Sequence, residues 1–462
     1  MRAIFLFVSI WLMATSVLAQ PASVWSGVTP NIPDTVGCQA LDAVNERVAW
    51  AVSQKYNPTD SLYFLAGSPT VWFHRTTDGG LTWSADTAPN IGGVPYLLNV
   101  TALDSSRAWI NGLDFSTFQT FAFQTQNGGA TWTRILDSLF DTPGGFLNYV
   151  YFWDGQNGIA FGDPSQSLTD TVFHFEIHRT SDGGQTWTRL PRTILPAAEP
   201  DEYGATYRVM GDQIWFMTTN GRMIRSSDRG QTWQVSLTNY FGATFNIAFA
   251  DTQVGIFGGF DFVNNSIGLG LTQDGGATWT DITPADSAYL VTTATIVPGT
   301  RVIVLVVRNS NLSGPVRTWT SHDLGQTWME IGQGANAGWA EFVDENTGFA
   351  GEWQNPVTKG KYYSYNGSPL LGLFGHTALA AEVTLAPNPA HTYVDVLLEG
   401  TQPSQYHLLL HDLTGRLLHQ ETSAPYSTTW NPHLDLTSLP AGVYTVTVSD
   451  ARGRVTKRVV KE

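Results

Sequence analysis

The chain is poor in cysteine and in charged residues, and it has no long apolar run beyond its first twenty positions. Its 462 residues include one cysteine, Cys38, so an internal disulfide is excluded and a packed core must supply the stability. We expect Cys38 to be a buried, inert thiol. Charged residues make up 14% of the chain, which excludes a coiled coil or a disordered polyelectrolyte. The net charge of −15 excludes nucleic acid as an expected partner, because a phosphate backbone requires a basic surface.

The only strongly apolar stretch stands at the N-terminus. Arg2 precedes an apolar segment that ends in Val17-Leu18-Ala19, the pattern of a secretory signal peptide at residues 1–19 with cleavage before Gln20. No other segment is long and apolar enough to span a bilayer, since a run such as Val302–Val307 has the length of a strand. We therefore expect an exported protein with no transmembrane segment after the signal is removed.

Glycine and tryptophan are abundant, with 45 and 17 residues, and many of them recur in one short motif. The motif occurs six times, at intervals of about 50 residues, a period typical of a propeller or solenoid. Its acidic or amide residue and its tryptophan are Asp78 and Trp83, Asn127 and Trp132, Asp182 and Trp187, Asp228 and Trp233, Asp274 and Trp279, and Asp323 and Trp328.

The motif has the composition of a tight turn that leads into a strand. A Ser or Thr hydroxyl and the Asp or Asn side chain can bind backbone N–H groups within the turn. Glycine supplies the positive φ that a Cβ would disfavour. The Trp opens the next strand and closes an apolar layer. We therefore predict that these residues have a structural role.

This pattern resembles the Asp box, or BNR repeat, found in sialidases, sortilin-type receptors, some xyloglucanases and propellers like the photosystem assembly factor. The resemblance implies an all-β propeller in which the boxes lie on peripheral hairpin turns, away from the ligand face. It says little about function.

A second, weaker repeat precedes each box and has alternating apolar residues on both sides of a turn, as at Phe152–Gly162 and Phe249–Gly258. A seventh copy at Phe342–Gly351 has no box after it. We predict a seven-bladed β-propeller over residues 20–378, with the N-terminal strand near Val24–Gly27 completing the last blade and closing the ring. A six-bladed propeller is the alternative.

The sequence changes character near residue 380, where short strand-like segments follow one another at close intervals. We predict a small Ig-like β-sandwich over residues 379–462. Pro387-Asn-Pro389, Asp412-Leu-Thr-Gly415 and Leu439-Pro-Ala-Gly442 together resemble a type A C-terminal sorting domain of the type IX secretion system. This resemblance implies a Bacteroidetes-type Gram-negative cell, the outer-membrane type IX machinery as a partner of residues 380–462, and release or attachment at the outer surface.

Loops on the face opposite the boxes are longer and more variable than the turns, as binding loops tend to be. The most polar one contains Asp201, Glu202 and Tyr203, and Asp163 belongs to the same blade unit. We take these four as candidate binding residues. Asp163 with Asp201 or Glu202 could form the carboxylate pair of a glycosidase, but such acids more often cap loops.

No complete catalytic set can be assembled from the sequence, and the Arg-Ile-Pro element expected of a sialidase is absent. The stretch His174-Phe-Glu176-Ile-His178 resembles a metal site, yet on a strand the two histidines would lie about 13 Å apart. One metal ion cannot bind both at that separation, since its ligand bonds are about 2 Å long. We therefore expect no metal and no cofactor.

The sequence favours a secreted or surface-displayed binding module for an extracellular glycan or a surface protein. The alternative is a glycoside hydrolase or lyase with an unrecognised carboxylate pair. A structural or assembly role is a third hypothesis, and the acidic net charge gives it little support.

Overall fold

The computed structural model describes residues 23–31, 36–55, 71–88, 95–114, 116–117, 119–137, 146–166, 172–199, 202–238, 240, 242–261, 266–284, 289–310, 314–352, 360–367, 370, 381–404, 406–412, 417–423, 427–449 and 454–462. The signal peptide predicted at residues 1–19 and the candidate Asp201 lie outside these ranges. The chain divides into two compact units, Met1–Ser368 and Pro369–Glu462.

The first unit is a β-propeller whose described residues form seven four-stranded antiparallel sheets. We number these sheets as blades 1–7 in chain order. Strands β1 to β13 are Trp25–Val28, Val36–Ala43, Ala49–Lys55, Val71–Thr76, Ser84–Thr87, Pro95–Ala102, Ala108–Asp114, Gln119–Thr125, Thr133–Asp137, Leu147–Phe152, Gly158–Gln166, Phe173–Thr180 and Thr188–Arg189. Strands β14 to β28 are Gly204–Met210, Gln213–Thr218, Arg222–Ser226, Gln234–Leu237, Gly242–Phe249, Gly255–Asp261, Ser266–Thr272, Thr280–Asp281, Tyr289–Ile296, Ile303–Asn309, Arg317–Ser321, Met329–Gln333, Ala337–Phe342, Gly348–Glu352 and Tyr362–Tyr365. A 3₁₀ turn, η1, covers Arg192–Ile194.

Blades 1 to 6 each use four consecutive strands, from β2–β5 to β22–β25, and blade 7 has the order β26-β27-β28-β1. The N-terminal strand β1 is therefore the outermost strand of the last blade, as the sequence predicts. Trp25 on β1 is buried against Phe342 and Tyr365, and its indole N–H donates to Thr318 of blade 6 at 3.0 Å. The innermost strands β26 and β2 are in contact, which closes the ring.

Each box lies between the third and fourth strands of its blade and uses the turn chemistry that its residues suggest. In the first copy, Gly80 N donates to Thr76 Oγ1 at 2.9 Å and Thr82 N donates to Asp78 Oδ1 at 3.0 Å. Gly79 N donates to the carbonyl of Arg47, in the turn between β2 and β3 of the same blade, at 3.0 Å. The boxes and these first hairpin turns therefore share one face of the propeller, which we call the box face.

The box tryptophans pack between blades. Trp83 of blade 1 stacks on Tyr362 of blade 7 with ring centroids 4.6 Å apart. Trp132 of blade 2 packs on the rings of Trp50 and Phe73 in blade 1. The buried clusters likewise combine residues of two neighbouring blades, so the apolar core of the propeller lies between its sheets.

The second unit contains two four-stranded sheets. Strands β29 to β36 are Ala381–Ala386, Tyr393–Ser404, His407–Asp412, Leu417–Thr422, Ser427–Trp430, His433–Asp435, Gly442–Ser449 and Arg454–Lys461. Alternate residues of β30 and β35, such as Val394, Val396, Val446 and Val448, belong to one buried cluster. Alternate residues of strands in both sheets are thus buried in one shared core, and this arrangement makes the unit a β-sandwich.

No helix among the described residues is long and apolar enough to cross a membrane.

Candidate functional site

Asp163, one of the candidate binding residues, lies on β11 of blade 3 and is held by the start of blade 4. Its Oδ1 accepts a hydrogen bond from Asn148 Nδ2 at 2.7 Å and another from Gly204 N at 2.9 Å. Burial raises the pKa of Asp163, and these two hydrogen bonds oppose that rise. The carboxylate thus joins β11 to the first residue of β14.

Glu202, another candidate binding residue, is buried, with 2% of its surface exposed. Its carboxylate forms an ion pair with Arg222 at 2.7 Å, accepts a hydrogen bond from Glu199 N at 2.8 Å, and accepts a third from the hydroxyl of Thr218. A buried carboxylate needs such partners to offset its lost hydration, so Glu202 anchors the loop rather than facing a ligand.

Tyr203, the next residue, is half exposed, with 52% of its surface accessible. Its backbone N–H donates to Thr219 Oγ1 at 3.0 Å, which fixes the main chain while the ring remains available. Of the four candidates, Asp163 and Glu202 thus have structural partners, Tyr203 faces solvent, and Asp201 is outside the described residues.

The structure also shows a polar ring in the central channel that sequence reasoning missed. In all seven blades, the pairing of the innermost strand with the second strand shifts register at an equivalent point. The shift falls, for example, between Cys38 and Ala40 and between Ala337 and Trp339. Counted from this shift, one equivalent channel position per blade is occupied by Asp42, Thr101, Tyr151, Arg208, Ala248, Thr295 and Glu341. The position lies near the end of each strand that leads into the first hairpin turn, so the ring is at the box end of the channel.

An ion pair crosses the channel at this level. Arg208 Nη1 of blade 4 binds Glu341 Oε1 of blade 7. Glu341 Oε2 also accepts from Ala43 N at 2.9 Å, and Asp42 Oδ2 accepts from Ala102 N at 2.6 Å. Burial and then the nearby charge of Glu341 raise the pKa of Asp42 to about 7.

Tyrosine and asparagine side chains, together with aliphatic and other apolar ones, line the rest of the channel cavity, whose volume is about 410 Å³. Asn99 Nδ2 donates to the hydroxyl of Tyr207 at 3.0 Å, and the Tyr149 hydroxyl donates to the carbonyl of Ala205 at 2.7 Å. The rings of Tyr149 and Tyr207 pack with centroids 4.3 Å apart. These hydrogen bonds join the innermost strands of blades 2, 3 and 4.

The His-Glu-His stretch of β12 forms an ion-pair network. Glu176 Oε1 lies 3.4 Å from His178 Nε2 and 3.3 Å from Arg189 Nη1. Burial acts to raise the pKa of Glu176, but hydrogen bonds from His178 and Ser165 and the charge of Arg189 outweigh it and lower the pKa. His174 points elsewhere, with Nδ1 3.3 Å from the carbonyl oxygen of Leu195. Across the described ranges, no group of three or more His, Cys, Asp or Glu side chains could hold a metal ion.

Comparison with known proteins identifies the C-terminal region. Residues 384–462 match the family model described as the secretion system C-terminal sorting domain. This match covers most of the second unit and confirms the sorting domain that the sequence predicts.

The propeller resembles the photosystem assembly factor. A stretch of 122 residues is 34% identical to the photosystem II assembly lipoprotein Ycf48 of Synechococcus sp. (strain CC9902), over 26% of this chain and 32% of that protein. The chain thus spans about a third of the length of this curated relative.

Two solved structures are similar in fold. The structure described as YCF48 bound to D1 peptide has a TM-score of 0.50 and 16% identity, and covers 76% of this chain and 100% of that chain. YCF48 from Cyanidioschyzon merolae has a TM-score of 0.51 and 15% identity, over 74% and 98% of the two chains. At these identities the likeness concerns the fold alone.

The chain therefore combines a β-propeller, similar in fold to the photosystem assembly factor, with a C-terminal sorting domain of the type IX secretion system, which directs it to the cell surface or the extracellular space.

Proposed function

We propose that the propeller is a non-catalytic binding module that recognises an extracellular glycan. The observation that carries this proposal is the distribution of exposed apolar side chains in the described part of the first unit. Four of the eight large exposed hydrophobic side chains in the described part of the first unit, Val172, Phe173, Ile194 and Tyr203, lie in blade 3 or in the connection from blade 3 to blade 4. Apolar and aromatic side chains grouped on a surface are typical of interaction sites, and aromatic rings pack well on the C–H faces of sugars.

The bonding of the candidate acids supports binding rather than hydrolysis. A glycosidase needs one carboxyl group that can give up a proton to the leaving group and a second that reaches the sugar ring. Glu202 is buried in its ion pair with Arg222, and Asp163 accepts hydrogen bonds from Asn148 and Gly204. Such engaged groups are poor candidates for either role.

A protein ligand is the second candidate, because one propeller of similar fold is described as bound to a peptide. Export to the outer surface would bring this chain into contact with both kinds of ligand.

The test is a glycan and polysaccharide binding screen on the chain from residue 20 to residue 462, with released reducing sugar measured in the same wells. Binding without release is the expected result. Release that depends on Asp163 would overturn the non-catalytic assignment, and binding of surface proteins without any glycan would favour the second candidate.

A variant pair locates the binding surface. Replacing Tyr203 by Ala should weaken glycan binding by about tenfold or more if the ring contacts the ligand, since truncation of an aromatic anchor costs on the order of 2 kcal/mol. Leu81→Ala is the matched control, because Leu81 is also exposed but belongs to the first box, on the box face. Equal loss in both variants would contradict this placement.

A further inference from the structure

Two arginines converge on one buried hydroxyl in blade 3. Arg189 Nη2 donates to Ser165 Oγ at 2.9 Å, and Arg192 Nη2 donates to the same oxygen at 3.2 Å. Ser165 is fully buried on β11, and its hydroxyl also bonds to Glu176. The shared acceptor holds the two guanidinium groups close together although both are cationic.

The charges of this network do not cancel. Glu176 pairs with Arg189 at 3.3 Å and so compensates one of the two positive charges. Within the described residues, Arg192 donates hydrogen bonds to two neutral oxygens, Ser165 Oγ and the carbonyl of Val172. Among the described residues, one positive charge of this network therefore remains without an acidic partner, in a protein whose net charge is −15.

The uncompensated arginine lies beside exposed apolar side chains. Residues 190–198 run back along β12, since Leu190 N donates to the carbonyl of Ile177 and Ala198 N donates to the carbonyl of Phe173, with a bridge between His174 and Ala197. This arrangement brings η1 next to the start of β12. The side chains of Phe173 and Ile194 are 42% and 37% exposed. The patch thus offers a cation and an aromatic face together.

We propose that Arg192, supported by Arg189 and Ser165, is an anion subsite for an acidic polysaccharide whose sugars carry carboxylates, with Phe173 packing on the sugar ring. The inference rests on the proposed glycan binding and names the chemical class of the glycan. A planar guanidinium donates two parallel hydrogen bonds to a carboxylate, which a point charge such as Lys does not match. The buried Ser165 hydroxyl restrains both guanidinium groups, so less side-chain freedom is lost on binding.

The test measures binding of the chain from residue 20 to residue 462 to polygalacturonate, to dextran sulfate and to uncharged dextran. Polygalacturonate should bind, and its affinity should fall as NaCl is raised, because exposed charges are screened. Arg192→Ala should weaken this binding by about tenfold or more, as expected for loss of a charge-assisted contact. Arg192→Lys should restore only part of the affinity, and Phe173→Ser should weaken binding independently of salt.

Arg301→Ala is the matched control for charge. Arg301 lies in the turn between β22 and β23 of blade 6, on the box face, so its removal subtracts the same charge away from the patch. Affinity for polygalacturonate should remain within about twofold of the unaltered chain, since distant surface charges are largely screened. Thermal unfolding of every variant shows whether a loss of binding reflects loss of fold.

The outcomes separate this inference from the proposed function. Binding of dextran but not polygalacturonate would leave glycan recognition intact and overturn the anion subsite. Polygalacturonate binding that is equal in Arg192→Ala and Arg301→Ala would also overturn it. Stronger binding of dextran sulfate than of polygalacturonate would replace the carboxylate by a sulfate as the anion. Binding of none of the three polymers would contradict the subsite, and only the wider glycan screen would then decide the proposed function.

Discussion

Among the described residues of the propeller, two that are not glycine have the left-handed backbone conformation that normally favours glycine. Arg229 and Leu324 both have φ of 57°, and they occupy the box position where the other four copies have glycine. Arg229 is held there by an ion pair to Asp212 at 2.6 Å and by its position over the ring of Trp153. A non-glycine residue in this region carries strain of about 1–2 kcal/mol, which these contacts partly offset.

Arg229→Gly should therefore leave the propeller more stable than Arg229→Ala, by about 1 kcal/mol. Both variants lose the contacts to Asp212 and Trp153, but only glycine relieves the backbone strain. Urea unfolding of the two variants measures the difference. At Gln231, in the same turn but without a positive φ, the order should reverse, with Ala more stable than Gly. The same order at both positions would show that the strain is absent.

The raised pKa of Asp42 should make the stability of the propeller depend on pH. Its pKa is raised to about 7 from the model-peptide value of 3.8, so between these values the folded state binds a proton that the unfolded state has released. The contribution of Asp42 to the free energy of unfolding therefore falls as pH rises from about 4 to about 7. Asp42→Asn mimics the neutral acid and can keep the hydrogen bond from Ala102. The free energy of unfolding of this variant, minus that of the unaltered chain, should therefore be larger at pH 8 than at pH 5. Urea unfolding at both pH values tests this, and an equal difference at pH 5 and pH 8 would contradict it.

At the level of the strand and turn, each box forms a turn that is stabilised by hydrogen bonds among its own residues. The hydrogen bond from Thr186 lowers the pKa of Asp182 to about 2, so this carboxylate stays ionised within its turn under ordinary conditions. The hydrogen bonds to this carboxylate come from residues two to four positions away, as in Thr186 N to Asp182 Oδ1 at 2.9 Å. Interactions of this range can be predicted from the motif alone.

The tryptophan of each box acts beyond its own blade. Trp83→Ala should destabilise the propeller by about 3–5 kcal/mol, because it removes a buried ring that stacks on Tyr362 of blade 7. Leu81→Ala, in the same box but exposed, should change stability by less than about 0.5 kcal/mol. Chemical denaturation of the two variants provides the comparison. Similar small effects would show that the box tryptophan does not join the blades.

The ring of channel-facing residues shows that the sequence pattern of a strand does not reveal which of its side chains face the channel. Asp42 and Glu341 stand at equivalent positions of two innermost strands, but their weak repeats share little sequence. The repeat aligns such positions along the chain, but the register shift in each strand decides which side chains face the channel, because a shift of one residue moves a side chain to the other face.

At the scale of the whole molecule, the ring is closed by a strand from the other end of the first unit. Removing residues 23–28 should lower the unfolding temperature of the propeller markedly, because blade 7 would lose the pairing of β1 with β28 and the burial of Trp25. A chain that begins at residue 23 is the control. Differential scanning calorimetry compares the two chains, and equal unfolding temperatures would show that β1 is dispensable for closure.

The features that depend on local or repeated chemistry can be predicted from the amino-acid sequence. The box turns, the all-β class, the N-terminal strand in the last blade and the sorting domain all follow from residues that lie close together or recur with a period. The tertiary structure alone decided that Glu202 is buried against Arg222, that Arg208 reaches Glu341 across 133 residues of sequence, and that Arg192 shares Ser165 with Arg189. Such partners meet only when separate strands and blades pack together, and burial and charge compensation then depend on distances that no local pattern contains.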